Sequence, residues 1–310
     1  MFFMEKVNRI FSLGLITTCL TINSCSQTTN TNLQALASFE ATTPCDEVSR
    51  SLLHIPFTDS SVMLKWHLTL LSPTTYKLTY TYGKDKQGTR GFSDGAITKE
   101  LQGTWTRGKL KNAEVYTLTA IDSGISLSFL KLNENVLHLL DANKNLTVGN
   151  GAWSYTLNRI NPVKLSSNEV NSQPIEQGMS TDSIVFEGRM PCYGPLLPLS
   201  GKATTGCSLV KCRFILFSDR AQLPSSLKFY SITVGTGGTR YLATGKWIIT
   251  RGTKTDPQSI LYQLQFDPER SQQNLVLLKG DDNILFLLDG EMNYMPGNDY
   301  CSFTLNRIRK

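Results

Sequence analysis

Histidine is scarce. The 310 residues contain three, His54, His67 and His138, and none in the second half of the chain. Mechanisms that need several imidazoles are excluded by that count alone. No nucleophile elbow and no paired-carboxylate motif stands in for them, so the sequence points away from an enzyme. Neither sign of charge dominates: the formal charge is +6, the pI is near 8.9, and the cations are scattered along the chain. That excludes a nucleic-acid partner as the expectation. No membrane-length apolar run is present either, since Ile10–Leu20 spans 11 residues and a bilayer needs roughly 20. Beyond the leader, no 12-residue stretch shows helical periodicity. What the chain does have is 40% apolar residues, enough for packed cores, and a length about twice that of a typical domain.

The first 25 residues place the chain in a compartment. Lys6 and Arg9 form a positive start, and Ile10–Leu20 is a secretory apolar segment. Ile22-Asn23-Ser24-Cys25 then resembles a bacterial lipobox. That resemblance implies cleavage before Cys25 and a diacylglycerol on its thiol, which with further acylation anchors stably in a membrane. Ser26, rather than Asp, resembles the sorting signature of an outer-membrane lipoprotein. Residues 1–24 are thus read as the lipoprotein signal peptide and 25–38 as the lipidated Cys with a polar tether. An oxidising envelope permits disulfides among Cys45, Cys192, Cys207, Cys212 and Cys301.

The rest of the chain is a repeat. Phe39-Glu40 and Pro44-Cys45 recur as Phe186-Glu187 and Pro191-Cys192 at an offset of 147. Gly103-Thr-Trp105 recurs as Gly245-Lys-Trp247. Lys131, Asn135, Leu137, Leu139, Leu140 and Asp141 match Lys279, Asn283, Leu285, Leu287, Leu288 and Asp289, all at 148. Gly149-Asn150 matches Gly297-Asn298, and Thr156–Ile160 (TLNRI) matches Thr304–Ile308, again at 148. The period is far longer than a solenoid unit. It predicts two full domains, 39–160 and 184–310, joined by a Ser/Asn/Gln/Pro-rich linker at 161–183.

Within each copy the apolar period is two. Tyr76, Leu78, Tyr80 and Tyr82 fall on one face, while Ile284–Leu288 and Leu275–Leu278 are short apolar runs. Lys131–Asn135 and Lys279–Asn283 read as hairpin turns. Eight short strands per copy predict an all-β protein of two tandem small antiparallel β-barrels, each filled by side chains or by one small ligand.

Several of these residues resemble a known family. They are the lipobox, Phe186-Glu-Gly-Arg-Met-Pro-Cys192, the central Gly-x-Trp, the Leu-Leu-Lys hairpin leading into Leu-Leu-Asp, and the final Thr-Leu-Asn-Arg strand. Together they resemble the N-terminal barrel of NlpE-type envelope lipoproteins, over nearly the whole mature chain in two copies. The resemblance implies a lipocalin-like fold, a role in copper homeostasis or envelope-stress sensing, copper as the associated metal, and an envelope protein as partner. The family carries Cys-x-x-Cys after the early Pro. Here Cys45-Asp-Glu-Val48 and Cys192-Tyr-Gly-Pro195 lack the second Cys, which weakens the copper expectation. Two alternatives stand beside this one: a lipocalin-like carrier of a small apolar ligand, and a structural or interaction lipoprotein.

The candidate site lies in copy two. Met190, Cys192, Met292, Met295 and Cys301 fall near the first and last strands, which are neighbours in a closed barrel. Soft sulfur ligands suit Cu(I). The competing reading is a disulfide from Cys192 to Cys207, Cys212 or Cys301, with the seam-stapling Cys192–Cys301 pair foremost; sequence does not choose among them. Cys207 and Cys212 are an odd number of residues apart and face opposite sides of a regular strand. Cys45 is a free thiol, or pairs across the copies, in a surface loop. Asp141–Asn145 imitates the start of a calcium loop without its Gly and Glu. Gly235–Thr239 lacks the Lys-Ser/Thr of a phosphate loop. Lys131, Lys279, Arg159 and Arg307 read as solvated or paired barrel ends.

Overall fold

The structure is a computed structural model and describes residues 34–166, 173–179, 182–194, 206–235, 238–253, 256–269 and 274–308. The signal peptide, Cys25 and most of the tether lie outside the described residues, as does part of the linker.

The period-two segments become strands. In copy one these are β1 (Ala35–Pro44), β2 (Met63–Leu71), β3 (Thr75–Gly83), β4 (Ile97–Leu110), β5 (Ala113–Ala120), β6 (Ser126–Asn133), β7 (Val136–Leu140) and β8 (Thr156–Arg159). Each pairs antiparallel with the next, and β8 returns to β1 through Phe39↔Arg159, closing an eight-stranded barrel. A short β9 (Gln173–Pro174) follows in the connection between the copies. Copy two repeats the barrel order with β10 (Ser183–Met190), β11 (Cys207–Ser218), β12 (Pro224–Gly235), β13 (Arg240–Arg251), β14 (Ile260–Phe266), β15 (Asn274–Lys279), β16 (Ile284–Leu287) and β17 (Thr304–Arg307). It closes by the equivalent pair, Phe186↔Arg307. Strand β9 pairs with Thr250 and Arg251, beyond the part of β13 that β12 covers.

Both interiors are packed. Tyr76, Leu78, Tyr80 and Tyr82, the predicted face of β3, are all buried in the first core with Trp66, Phe129 and Leu157. Phe186, Phe214, Phe229, Leu264 and Leu305 fill the second. The repeated Gly-x-Trp has a steric origin. A Cβ on Gly103 would lie 2.0 Å from the Thr119 carbonyl oxygen, and one on Gly245 would lie 2.1 Å from that of Gln265. Only glycine lets the fourth strand of each barrel press against the fifth. Two residues on, the Trp105 indole donates to the Leu71 carbonyl and Trp247 to that of Phe217, at 3.3 and 2.8 Å.

One element departs from expectation. Helix α1 (Glu47–Leu53) follows β1. Its seven residues are too few to show a 3.6-residue period; the legible mark was its start, where Asp46 accepts from the Val48 and Ser49 amides. Leu53 and Ile55 are buried in the first core. Arg50, buried beside them, donates to the carbonyls of Cys45, Pro56 and Ser61.

Candidate functional site

The sulfur-bearing residues do not form one site. Cys192 is bonded to Cys207, with Cα atoms 6.0 Å apart. The disulfide therefore closes the connection between β10 and β11. It does not staple the first strand to the last, because Cys301 lies in the loop before β17 and is buried with Met63, Trp153, Leu209 and Tyr300. Cys212 faces the second core beside Met190. Met295 packs against that core, but Met292 belongs to a separate cluster with Leu261 and Leu288. Cys212 and Cys301 are free and buried. Burial pushes the Cys301 thiol up to about 12, and burial, with a smaller contribution from the nearby Cys301, raises Cys212 as well. With Cys192 held in the disulfide and Cys212, Cys301 and Met292 in three different clusters, the expected soft-ligand set is not assembled around one copper ion. Among the described residues, no group of three or more His, Cys, Asp and Glu side chains is placed to hold a metal.

Cys45 is also free, but it is buried rather than in a surface loop. Desolvation raises its pKa. His54 is the left-handed C-cap of α1, and His67 faces outward with Nδ1 3.2 Å from Glu40; neither approaches the Cys45 thiol as a ligand set. After the repeated Pro-Cys, copy one thus continues into a helix and copy two into a disulfide.

Polar residues missed as candidates meet one another where the barrels join. Ser154 and Ser302 hydroxyls are 2.6 Å apart, and those of Thr156 and Thr304 are 2.8 Å apart. Each pair joins a residue to its own repeat equivalent. Asn158 accepts from the Gly297 amide at 2.7 Å, and Asn306 accepts from Gly149 at 2.8 Å. Asn158 Nδ2 donates to the Asn298 carbonyl, and Asn306 Nδ2 to that of Asn150. His138 lies against Phe286, again its equivalent, with ring centroids 5.5 Å apart. When residue i meets j and j meets i, the contact is isologous, as in a two-fold dimer. Here both halves are in one chain. Gly149 and Gly297 sit in turns where a Cβ would lie about 2 Å from a carbonyl, 2.1 and 2.0 Å respectively. Those turns aim their amides across the interface.

Comparison with known proteins adds little. No family model matches the chain, and no curated protein matches it in sequence. Among solved structures, the crystal structure of the Cpx pathway activator NlpE from Escherichia coli is similar at 11% identity. The match covers 66% of this chain and 95% of that one, with a TM-score of 0.25. A score that low carries no argument about function.

The barrel ends behave as paired charges. Lys131 lies 3.1 Å from Glu114 and 2.5 Å from Glu134, which hold its pKa high against desolvation. Lys279 pairs with Asp282 at 2.6 Å. Arg159 donates to the Glu134 and Leu36 carbonyls. A notch of about 130 Å³ opens at that end of barrel one, lined by Trp105, Arg107, Tyr116 and Lys131. Sites for drug-sized ligands run from roughly 300 Å³ upward. Asp141 and Asp289 cap turns, each accepting from two backbone amides.

Proposed function

We propose that the chain is a non-enzymatic, lipid-anchored protein of the bacterial envelope, NlpE-like in kind, that works by presenting its outer surface to an envelope partner. The observation that carries this reading is the pair of filled barrel interiors, locked together through Asn158 and Asn306. Filled barrels leave the outside faces and loops as the surfaces that can engage anything. The lipobox at Cys25 and the repeated strand motifs support the envelope and its outer membrane as the location. Among the roles the resemblance implies, stress sensing accords with the structure better than copper handling. Cys192 and Cys207 are joined, and among the described residues the free thiols of Cys45, Cys212 and Cys301 are buried.

The test is expression of the full chain and its Cys25→Ser variant in a bacterial host carrying an envelope-stress reporter. The reading expects a diacylglyceryl mass at Cys25, no co-purified ligand, and a reporter response that requires the lipidated form. An apolar ligand recovered in native mass spectrometry would replace it with the carrier reading. Saturable binding of one Cu(I), lost in Cys212→Ser, would restore copper.

A further inference from the structure

The cations are scattered in sequence, but the second barrel gathers several of them on one face. On β11, β12 and β13, residues of one parity point outward. Their cross-strand pairing gives rows of three: Lys211, Ile232 and Arg240; Arg213, Tyr230 and Leu242; Ile215, Lys228 and Thr244. Lys246 continues the face opposite Ser226. Tyr230, Ile232 and Leu242 are 39, 41 and 48% exposed, an unusual concentration of apolar side chains on a solvent-facing sheet. Two acids reach it: Glu187 neutralises Arg213, and Asp267 accepts from the Thr244 hydroxyl. Among the described residues no acid pairs with Lys211, Lys228, Arg240 or Lys246.

The same face of barrel one is different. Its outward residues on β3 and β4 include Lys77, Thr79, Thr81, Thr98, Glu100 and Gln102. On β2 of that face Lys65 and His67 lie beside Asp299 and Glu40, and Lys77 is paired with Glu100 at 3.0 Å. The fold therefore does not require the basic, apolar face; copy two alone has acquired it.

We infer that the β11–β13 face of the second barrel docks on an anionic lipid bilayer. The face is the outside of a barrel and so convex. A bilayer needs no shaped complement. Aliphatic and tyrosine tips enter the headgroup region while flanking Lys and Arg stems extend to the anionic headgroups. Each cation near such a surface adds an attraction that salt screens. The inference does not depend on the lipid at Cys25.

The test uses residues 33–310, which form one compact unit holding both closed barrels. Co-sedimentation is measured with vesicles of phosphatidylethanolamine and phosphatidylglycerol in equal parts, and with phosphatidylcholine vesicles. The expected result is binding to the anionic vesicles that weakens as salt rises. Lys228→Glu/Arg240→Glu and Tyr230→Ser/Leu242→Ser should each reduce it, the charge variant by about tenfold or more. Lys77→Glu on barrel one should leave it unchanged. Circular dichroism and melting establish that the exposed-site variants remain folded. No binding to anionic vesicles, equal binding to both vesicle types, or an equal loss with Lys77→Glu would overturn the inference.

Discussion

His138 should make this protein lose stability as pH falls through the weakly acidic range. The ring is fully enclosed between the barrels. Its Nε2 lies 3.1 Å from the Thr147 carbonyl and its Nδ1 3.0 Å from the Thr156 hydroxyl. A carbonyl only accepts, so Nε2 carries the proton and Nδ1 accepts from Thr156: a neutral imidazole with both nitrogens satisfied. Burial lowers its pKa from 6.5 to about 4. The unfolded chain therefore takes up a proton below pH 6.5 that the folded protein refuses until pH nears 4, and stability drops across that window. At about 1.4 kcal/mol per unit, the loss between pH 7.5 and 4.5 is about 2.5 kcal/mol. Urea unfolding at those two pH values measures it, in the wild type and in His138→Phe, the residue that Phe286 supplies on the opposite side. Carboxylates such as Asp59 and Asp282, held below their usual range, titrate in both proteins and cancel in the comparison. The variant leaves the Thr147 carbonyl without its donor and should be less stable at pH 7.5 by about 1–3 kcal/mol. Its further loss on acidification should nevertheless be smaller than the wild type's by about 2.5 kcal/mol. Equal losses in the two proteins would refute the reasoning.

Other perturbations test the remaining contacts. Trp247→Ala empties the second core of its largest side chain and should cost about 3–5 kcal/mol, seen as a lower melting midpoint. Cys192→Ser/Cys207→Ser opens a bridge between residues 15 apart and should cost about 3 kcal/mol in chemical unfolding. With the bridge intact, Cys45, Cys212 and Cys301 should react with a thiol reagent at neutral pH only after denaturant is added, because burial keeps them protonated; prompt labelling of the native protein would contradict their placement. Asn158→Ala strips the Gly297 amide and the Asn298 carbonyl of their partner and should cost about 1–3 kcal/mol. Asn306→Ala should cost a similar amount, since its bonds are the symmetric ones; a large asymmetry in unfolding midpoints would argue against the two-fold arrangement.

Much of the fold was legible because its causes are local. Alternation in Tyr76–Tyr82 needs only a pleated strand with one buried face, and Gly103-x-Trp105 needs only a close neighbour and a large anchor. The disulfide partner was not legible, because strand-end geometry decides it and spacing does not. The patch at Lys211, Arg213, Lys228 and Arg240 was invisible for a related reason: residues far apart in order become cross-strand neighbours only once the register is known. The interface was written in the sequence in a form easy to misread. Val136–Leu140 and Ile284–Leu287 are buried at every position, although a barrel strand hides only one face in its own core. Their inward residues are Leu137, Leu139, Leu285 and Leu287, leaving His138 and Phe286 to be covered by the other barrel. Likewise in Thr-Leu-Asn-Arg the Leu points in, while Thr and Asn point out into the partner. A polar outward residue of a lone barrel is free to change. Here Thr156, Asn158, Thr304 and Asn306 each hold a bond whose counterpart is made by the other copy, so the two copies keep the same residues because each half of the interface must fit the other.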